Sequence, residues 1–202
     1  MIKNVKKMKK NARLGDLAEI KGGYAPRRGV EDEKAGEVAF LQVGDFSEDR
    51  RRIEKAPTHI NPEGSNPRML QAGDVLFLAK GRKPFGYALN KVEKPMIAAG
   101  YFFIVRPSDR VVPEYLAWFL SLENTRRHLL KEAGGGTHMP VVRRDVLESI
   151  EIPLPSLEVQ RAVVELAELM EEEADLLEKM KRLRAQLVGG MLRQLIEEGD
   201  AQ

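Results

Sequence analysis

Toward the end of the chain, apolar positions recur with a period that no earlier stretch shows. Leu166, Leu169, Leu176, Met180, Leu183 and Leu187 follow a 3-4-3-4 spacing interrupted only by Glu173, the repeat of a helix that buries a narrow seam against another helix. Glu171, Glu172, Glu178, Lys179, Arg182 and Arg184 occupy the faces between. The pattern predicts a rod with a solvated back and an apolar stripe that needs a partner. Its start is set by Ile150-Glu151-Ile152-Pro153-Leu154-Pro155-Ser156. The β-branched residues alternate as at a strand end, and the two prolines then exclude both continued pairing and an early helix. Ser156 supplies an N-cap, with Glu158 in the first turn where the helix dipole favours a carboxylate. A helix over 157–196 would be about 60 Å long. Gly189-Gly190 weakens it by about 1 kcal/mol per glycine relative to alanine, and marks a bend or a close approach of another helix.

Upstream, the apolar runs are short. Leu14-Gly15-Asp16-Leu17-Ala18-Glu19-Ile20 fits either a turn of helix or a strand entry and ends at Gly22-Gly23. Runs at 38–43, 75–79, 87–89 and 101–105 are bounded by glycine, proline and charge, which predicts strands too short to be helices. Pro113 then opens a helix whose buried face is Tyr115, Leu116, Phe119 and Leu129, stopped by Gly134-Gly135-Gly136, since proline suits a first helical position. The predicted fold class is α+β: a mainly β body followed by a long C-terminal helix acting as a coiled-coil spacer.

Composition narrows this further. A chain of 202 residues holds one ordinary core and an appendage. It contains no cysteine, hence no disulfide framework and no thiolate metal site, as expected in a reducing cytoplasm. No apolar run reaches the length of a membrane span, and the lysine-rich start is not followed by the apolar stretch of a signal peptide, so the expected location is cytoplasmic. The net charge of +2 is unevenly placed: residues 156–202 carry 11 acidic against 6 basic groups, a net −5, which leaves +7 on the remainder. Lys3, Lys6, Lys7, Lys9, Lys10 and Arg13 supply six of those seven charges and read as a basic flexible arm over 1–13. A basic body facing a polyanion and an acidic rod facing protein is the division this suggests.

Catalytic signatures are missing. Glu19-Ile20-Lys21 is not joined by any Pro-Asp pair to complete a nuclease motif, and there is no nucleotide-phosphate loop and no G-x-S-x-G elbow. His59, His128 and His138 are widely separated, without carboxylates at metal-ligand spacing. No catalytic residue, metal or cofactor is expected. Recognition chemistry is present instead, in three segments where basic side chains interleave with aromatics or glycines. The first gives Lys21, Tyr24, Arg27 and Arg28. The second, in Lys80-Gly81-Arg82-Lys83-Pro84-Phe85-Gly86-Tyr87, gives Lys80, Arg82, Lys83 and Tyr87. The third gives Thr137, His138 and Arg143. Singly, each is as well explained by a solvated turn. Three in one small basic body favour nucleic acid.

Several of these stretches, taken in order, resemble the specificity (S) subunit of type I restriction-modification enzymes. They are Leu14-Gly15-Asp16-Leu17-Ala18-Glu19-Ile20 with Gly22-Gly23; Gly73-Asp74-Val75-Leu76-Phe77 with Gly81; Tyr115-Leu116; Gly135-Gly136-Thr137; and Ile152-Pro153-Leu154-Pro155 with Gln160. The resemblance implies a DNA target recognition domain over 14–155 and a helical spacer over 156–202. It implies no catalysis by the chain itself, and partners in double-stranded DNA, methyltransferase (M) subunits and, in the cleaving complex, a restriction (R) subunit. Members of full length carry two recognition domains and two antiparallel spacer helices, whereas this chain has one of each. It resembles a half-subunit, and the missing helix is then expected from a second copy in an antiparallel homodimer reading a bipartite target. Two other classes compete: a protein-only assembly adaptor with a helical docking rod, and a degenerate nuclease or methyltransferase fragment, which the absent motifs disfavour.

Overall fold

A computed structural model describes residues 11–26, 36–63, 67–133 and 139–199. The chain divides into two units, Met1–Arg161 and Ala162–Gln202, so the first turn of the long helix belongs to the body. The body opens with β1 (Asn11–Arg13), a 3-10 turn over Leu14–Asp16, and β2 (Ala18–Gly22). Both readings of that stretch are therefore realised in succession, with Leu14, Leu17 and Ile20 buried. Asn11–Arg13, the last part of the expected flexible arm, is strand rather than arm: it pairs antiparallel with β9 (Glu151–Pro153). Residues 1–10 lie outside the described residues.

Two further sheets build the core. One has the order β2-β8-β5-β6, with β5 (Val75–Leu78), β6 (Gly86–Ala88) and β8 (Phe102–Pro107). The other has the order β4-β3-β7, with β3 (Val38–Leu41), β4 (Thr58–Ile60) and β7 (Met96–Ala98), and its β3–β7 pair is parallel. Alternate residues of both sheets enter one apolar cluster: Val38, Phe40, Ile60 and Ile97 from the second, Leu76, Leu78, Phe102 and Ile104 from the first. Phe46 belongs to this cluster and stands edge-on to Phe85 at 5.3 Å and to Tyr87 at 5.0 Å, the geometry that ring quadrupoles favour. All four residues of β5 are buried. A strand that reads as one continuous apolar run is buried on both faces, and here the second face is covered by α1 (Pro113–Ser121). A Cβ on Gly86 would lie 2.8 Å from the Ala117 carbonyl oxygen, so β6 lies directly under α1 and requires glycine there.

Proline does open α1, and Tyr115 and Leu116 are buried as expected, but Phe119 is only half-buried. The single helix predicted from Pro113 is two. Leu122 has extended backbone (φ −60°, ψ 139°) and separates α1 from α2 (Glu123–Glu132), which buries Leu129. Ser121, the last residue of α1, has its hydroxyl accepting from Gly86 N at 2.9 Å. A short α3 (Arg144–Ser149) precedes β9. The strands β1, β4 and β7 are not apparent in the apolar pattern, each being three residues long.

The long helix α4 is Leu157–Gly199, 43 residues, or about 65 Å. Ser156 Oγ accepts from Val159 N at 3.4 Å, completing the expected cap. Gly189 and Gly190 leave the helix unbroken, and a Cβ on either would meet nothing within 4 Å. The first turn is anchored by Gln160, a fully buried polar side chain. Its Oε1 accepts from Val112 N at 2.8 Å, and its Nε2 donates to the carbonyls of Arg110 and Pro155, both at 3.0 Å. Gln160→Met keeps the volume and deletes all three bonds. It should destabilise the body by about 1–3 kcal/mol, because buried partners are left unpaired. Urea unfolding should show a lower midpoint with an unchanged m-value.

Candidate nucleic-acid interface

One edge of the body is assembled by backbone hydrogen bonds between segments far apart in sequence. At its centre is the turn Ala99-Gly100-Tyr101, which joins β7 to β8. On one flank, Gly23 N donates to Phe102 O at 2.9 Å and Tyr24 N donates to Ala98 O at 2.8 Å. A Cβ on Gly23 would lie 2.2 Å from the Ala99 carbonyl oxygen, so the approach admits glycine alone. On the other flank, Ala79 N donates to Tyr101 O at 2.9 Å, and Lys80 Nζ stands 4.9 Å from the centroid of the Tyr101 ring, a cation–π distance. Beyond that, Gly81 N donates to Pro140 O at 2.9 Å and Val142 N to Ala79 O at 2.8 Å, with a β-bridge between Lys80 and Val141. Gly81 has φ +114°, a conformation that glycine adopts without strain. All three predicted basic segments thus send a strand or loop end to the same edge.

Their side chains are not equivalent. Arg82 and Lys83 are exposed and pair with no carboxylate among the described residues. Lys80 is half-buried over Tyr101. Arg143 precedes α3 and pairs with Asp145 at 3.2 Å. Lys21 pairs with Glu19 at 2.7 Å, two residues back on the same face of β2. Tyr24 bonds through its hydroxyl to both the N–H and the C=O of Glu63, at 3.1 and 3.2 Å, and Tyr87 packs edge-on to Phe46. These two tyrosines hold loop and core. Arg27, Arg28, Thr137 and His138 lie outside the described residues.

Two side chains beside these segments carry no recognition signal in the sequence. Tyr101 reads there as a strand residue, but it is 51% exposed. Arg50 belongs to a hairpin over 47–52. Its backbone is left-handed (φ 64°), its guanidinium donates to Val43 O at 2.7 Å, and its Cζ lies 5.8 Å from the centroid of Phe85, two residues beyond Lys83. A non-glycine residue in that region costs strain, which the guanidinium contacts offset. Only the polar run around Arg50 could have drawn attention to it.

Several of the fragments that carried the family resemblance have internal roles, while Gly135-Gly136-Thr137 lies outside the described residues. Gly73 has φ +88°, and the side chain of Asp74 is fully buried, accepting from Arg106 Nε at 2.7 Å, Arg106 Nη2 at 2.8 Å and Gln71 N at 2.9 Å. This bidentate pair holds the guanidinium above even its ordinary high pKa. Tyr115 donates its hydroxyl to Pro153 O at 2.9 Å. Over residues 6–183 the chain matches the family described as Type I restriction modification DNA specificity domain.

The chain belongs to that family.

Among similar proteins are two from Methanocaldococcus jannaschii. The Type I restriction enzyme MjaIX specificity subunit is 27% identical over 174 residues, covering 84% of this chain and 39% of that protein. The MjaVIII specificity subunit is 31% identical over 129 residues, covering 56% and 29%. The fold is similar to the HsdS subunit from Thermoanaerobacter tengcongensis, with a TM-score of 0.62, 20% identity and coverage of 88% and 42%. It is also similar to the type I S subunit from M. genitalium, with a TM-score of 0.54, 13% identity and coverage of 85% and 41%. The chain therefore spans about two fifths of the length of the MjaIX protein and of both solved subunits.

Beside the edge, Glu19 also pairs with Arg68 Nη2 at 2.7 Å. Hydrogen bonds from Arg68 first and Lys21 second hold its carboxyl at about 2 instead of the ordinary 4.5. A folded-state pKa below the unfolded value means that ionised Glu19 stabilises the fold above pH 4.5, and that this contribution is lost as pH falls toward 2. In a carboxyl-detected NMR titration, Arg68→Met should return Glu19 further toward its ordinary value than Lys21→Met does. Equal effects would contradict the ranking of the two partners.

Proposed function

We propose that this chain is the DNA-recognition half-subunit of a type I restriction-modification system. Residues 14–155 select the sequence, and the helix over 156–202 docks on methyltransferase subunits, with a restriction subunit joining in the cleaving complex. The chain brings no chemistry of its own. The observation that carries this reading is the convergence of three basic segments on one edge in a chain of this family. Phosphates are met by Lys80, Arg82 and Lys83, with Arg27, Arg28, Thr137 and His138, which lie outside the described residues, as further candidates; Lys21 and Arg143 would join by exchanging Glu19 and Asp145 for a phosphate. No described helix is long and apolar enough to cross a membrane, which is compatible with work on cytoplasmic DNA.

The second half of the subunit is a second copy of the chain. Leu166, Leu169, Leu176, Met180, Leu183 and Leu187 are each 52–66% exposed, and Met170 and Leu177 beside them, at 62% and 59%, widen the stripe. An exposed apolar stripe of this length marks an association site. Glu171, Glu172 and Glu173 lie early on the helix and Lys179, Lys181, Arg182 and Arg184 later. Antiparallel pairing therefore sets opposite charges together, while parallel pairing stacks like on like. A two-fold dimer would present two body edges to two half-sites, making the target bipartite and palindromic.

Two measurements test these statements. In gel shifts on mixed-sequence duplex DNA, log affinity should fall linearly with log salt. Lys80→Ala with Arg82→Ala should weaken binding and reduce the slope by about one for each phosphate no longer neutralised. A protein-only adaptor would show neither dependence. In sedimentation, wild type should dimerise by tens of micromolar, roughly the range of a weak interface, and Leu176→Glu with Leu183→Glu should be monomeric with unchanged helix content. A monomeric wild type would leave the methyltransferase as the helix's partner and remove the argument for a palindrome.

A further inference from the structure

Outside α4, the described residues expose four large apolar side chains, and three of them, Tyr101 (51%), Met139 (61%) and Val141 (40%), belong to the edge just described; the fourth is Met69. Backbone bonding sets their three segments side by side. Ala79 N binds the Tyr101 carbonyl, Lys80 bridges to Val141, and Gly81 N binds Pro140 O beside Met139. Lys80 Nζ, 4.9 Å from the Tyr101 ring centroid, places a cation against the apolar group, and the exposed Arg82 and Lys83 follow it. An apolar patch inside a cationic rim is a poor match for water and for bare phosphate alike.

On the reading that this edge meets duplex DNA, we infer that Tyr101, with Met139 and Val141, is an apolar reader of the thymine 5-methyl group in the major groove. Apart from the small C5–H of cytosine, every other feature that a base pair presents there is a hydrogen-bond donor or acceptor. Covering such a group with an apolar side chain strips its water without replacing the bond, which is unfavourable. The thymine methyl has the most apolar area to bury against this patch, since cytosine lacks that carbon. The patch therefore discriminates for thymine and against the other three bases, while Lys80, Arg82 and Lys83 hold the flanking phosphates.

The test uses the full chain and a duplex pool of random sequence. Wild type first selects its preferred duplex from the pool, and each thymine is then replaced singly by deoxyuridine, which lacks only the methyl. Wild type should lose about fourfold in affinity at one position, the size expected for one buried methyl, and be indifferent elsewhere. Tyr101→Ala should bind the thymine duplex more weakly and show no deoxyuridine penalty at that position, with its salt slope unchanged because the ring neutralises no phosphate. Tyr101→Phe should behave as wild type. Melting curves of both variants should match wild type, since the ring is half exposed. A wild type that selects no sequence would defeat the proposed function itself. A wild type that selects sequence but tolerates deoxyuridine at every position would overturn this inference alone. So would a deoxyuridine penalty that survives Tyr101→Ala. Retained DNA selectivity in Tyr101→Ala together with lost co-purification of a methyltransferase subunit would reassign the patch to protein docking.

Discussion

The body and the first turn of the helix meet at the amide of Gln160. An amide both accepts and donates, and here it does both: it takes the N–H of Val112, just before α1, and gives to the carbonyls of Arg110 and Pro155. A carboxylate in its place could not donate, and an aliphatic side chain could do neither. The surrounding elements depend on this closure. Pro155 ends the Ile-Pro-Leu-Pro segment whose first half pairs with β1, and Leu14 N donates to Ile150 O on the same seam. The amide ties the entry to α1, the end of β9 and the start of α4 into one joint.

That joint also explains which parts of the structure are legible in the sequence. Four of the fragments that resemble a known family lie in the interior of the described body: Leu14 to Ile20, Gly73 to Phe77, Tyr115-Leu116 and the proline junction with Gln160. Every one of them is packing or closure: buried leucines, a glycine with positive φ before a buried carboxylate, a tyrosine hydroxyl on Pro153 O. Such positions tolerate few residue types, so they carry a signal in a single sequence. The long helix is legible for the same reason, since its seam repeats. The three-residue strands β1, β4 and β7 are not, because three residues cannot establish a period. The two-helix break at Leu122 is hidden too, having neither glycine nor proline to mark it.

The proposed recognition edge is half legible. Its basic loops stand out by composition, but composition does not separate a cation already satisfied from one still available. Lys21 is spoken for by Glu19, and Arg50 by Val43 O and Phe85, while Arg82 and Lys83 have no carboxylate among the described residues. Nor does composition separate an aromatic that braces a loop from one that faces out. Tyr24 and Tyr87 sit among basic residues and prove to brace; Tyr101 sits in an apolar run and is exposed. Only the pairing of strands distant in sequence decides these cases.

The segments of that edge are bonded in series: Gly23 and Tyr24 to the Ala98–Phe102 turn, the turn to Ala79, and Ala79 and Gly81 to Val142 and Pro140. With Gly23 in contact with the Ala99 carbonyl, none can shift without displacing its neighbour. Induced fit by one loop at a time is thereby discouraged. If a duplex lies on this edge, the work of conforming falls on the nucleic acid, and the flexibility of its base steps becomes part of what is recognised. Selectivity would then extend to base pairs that no side chain touches.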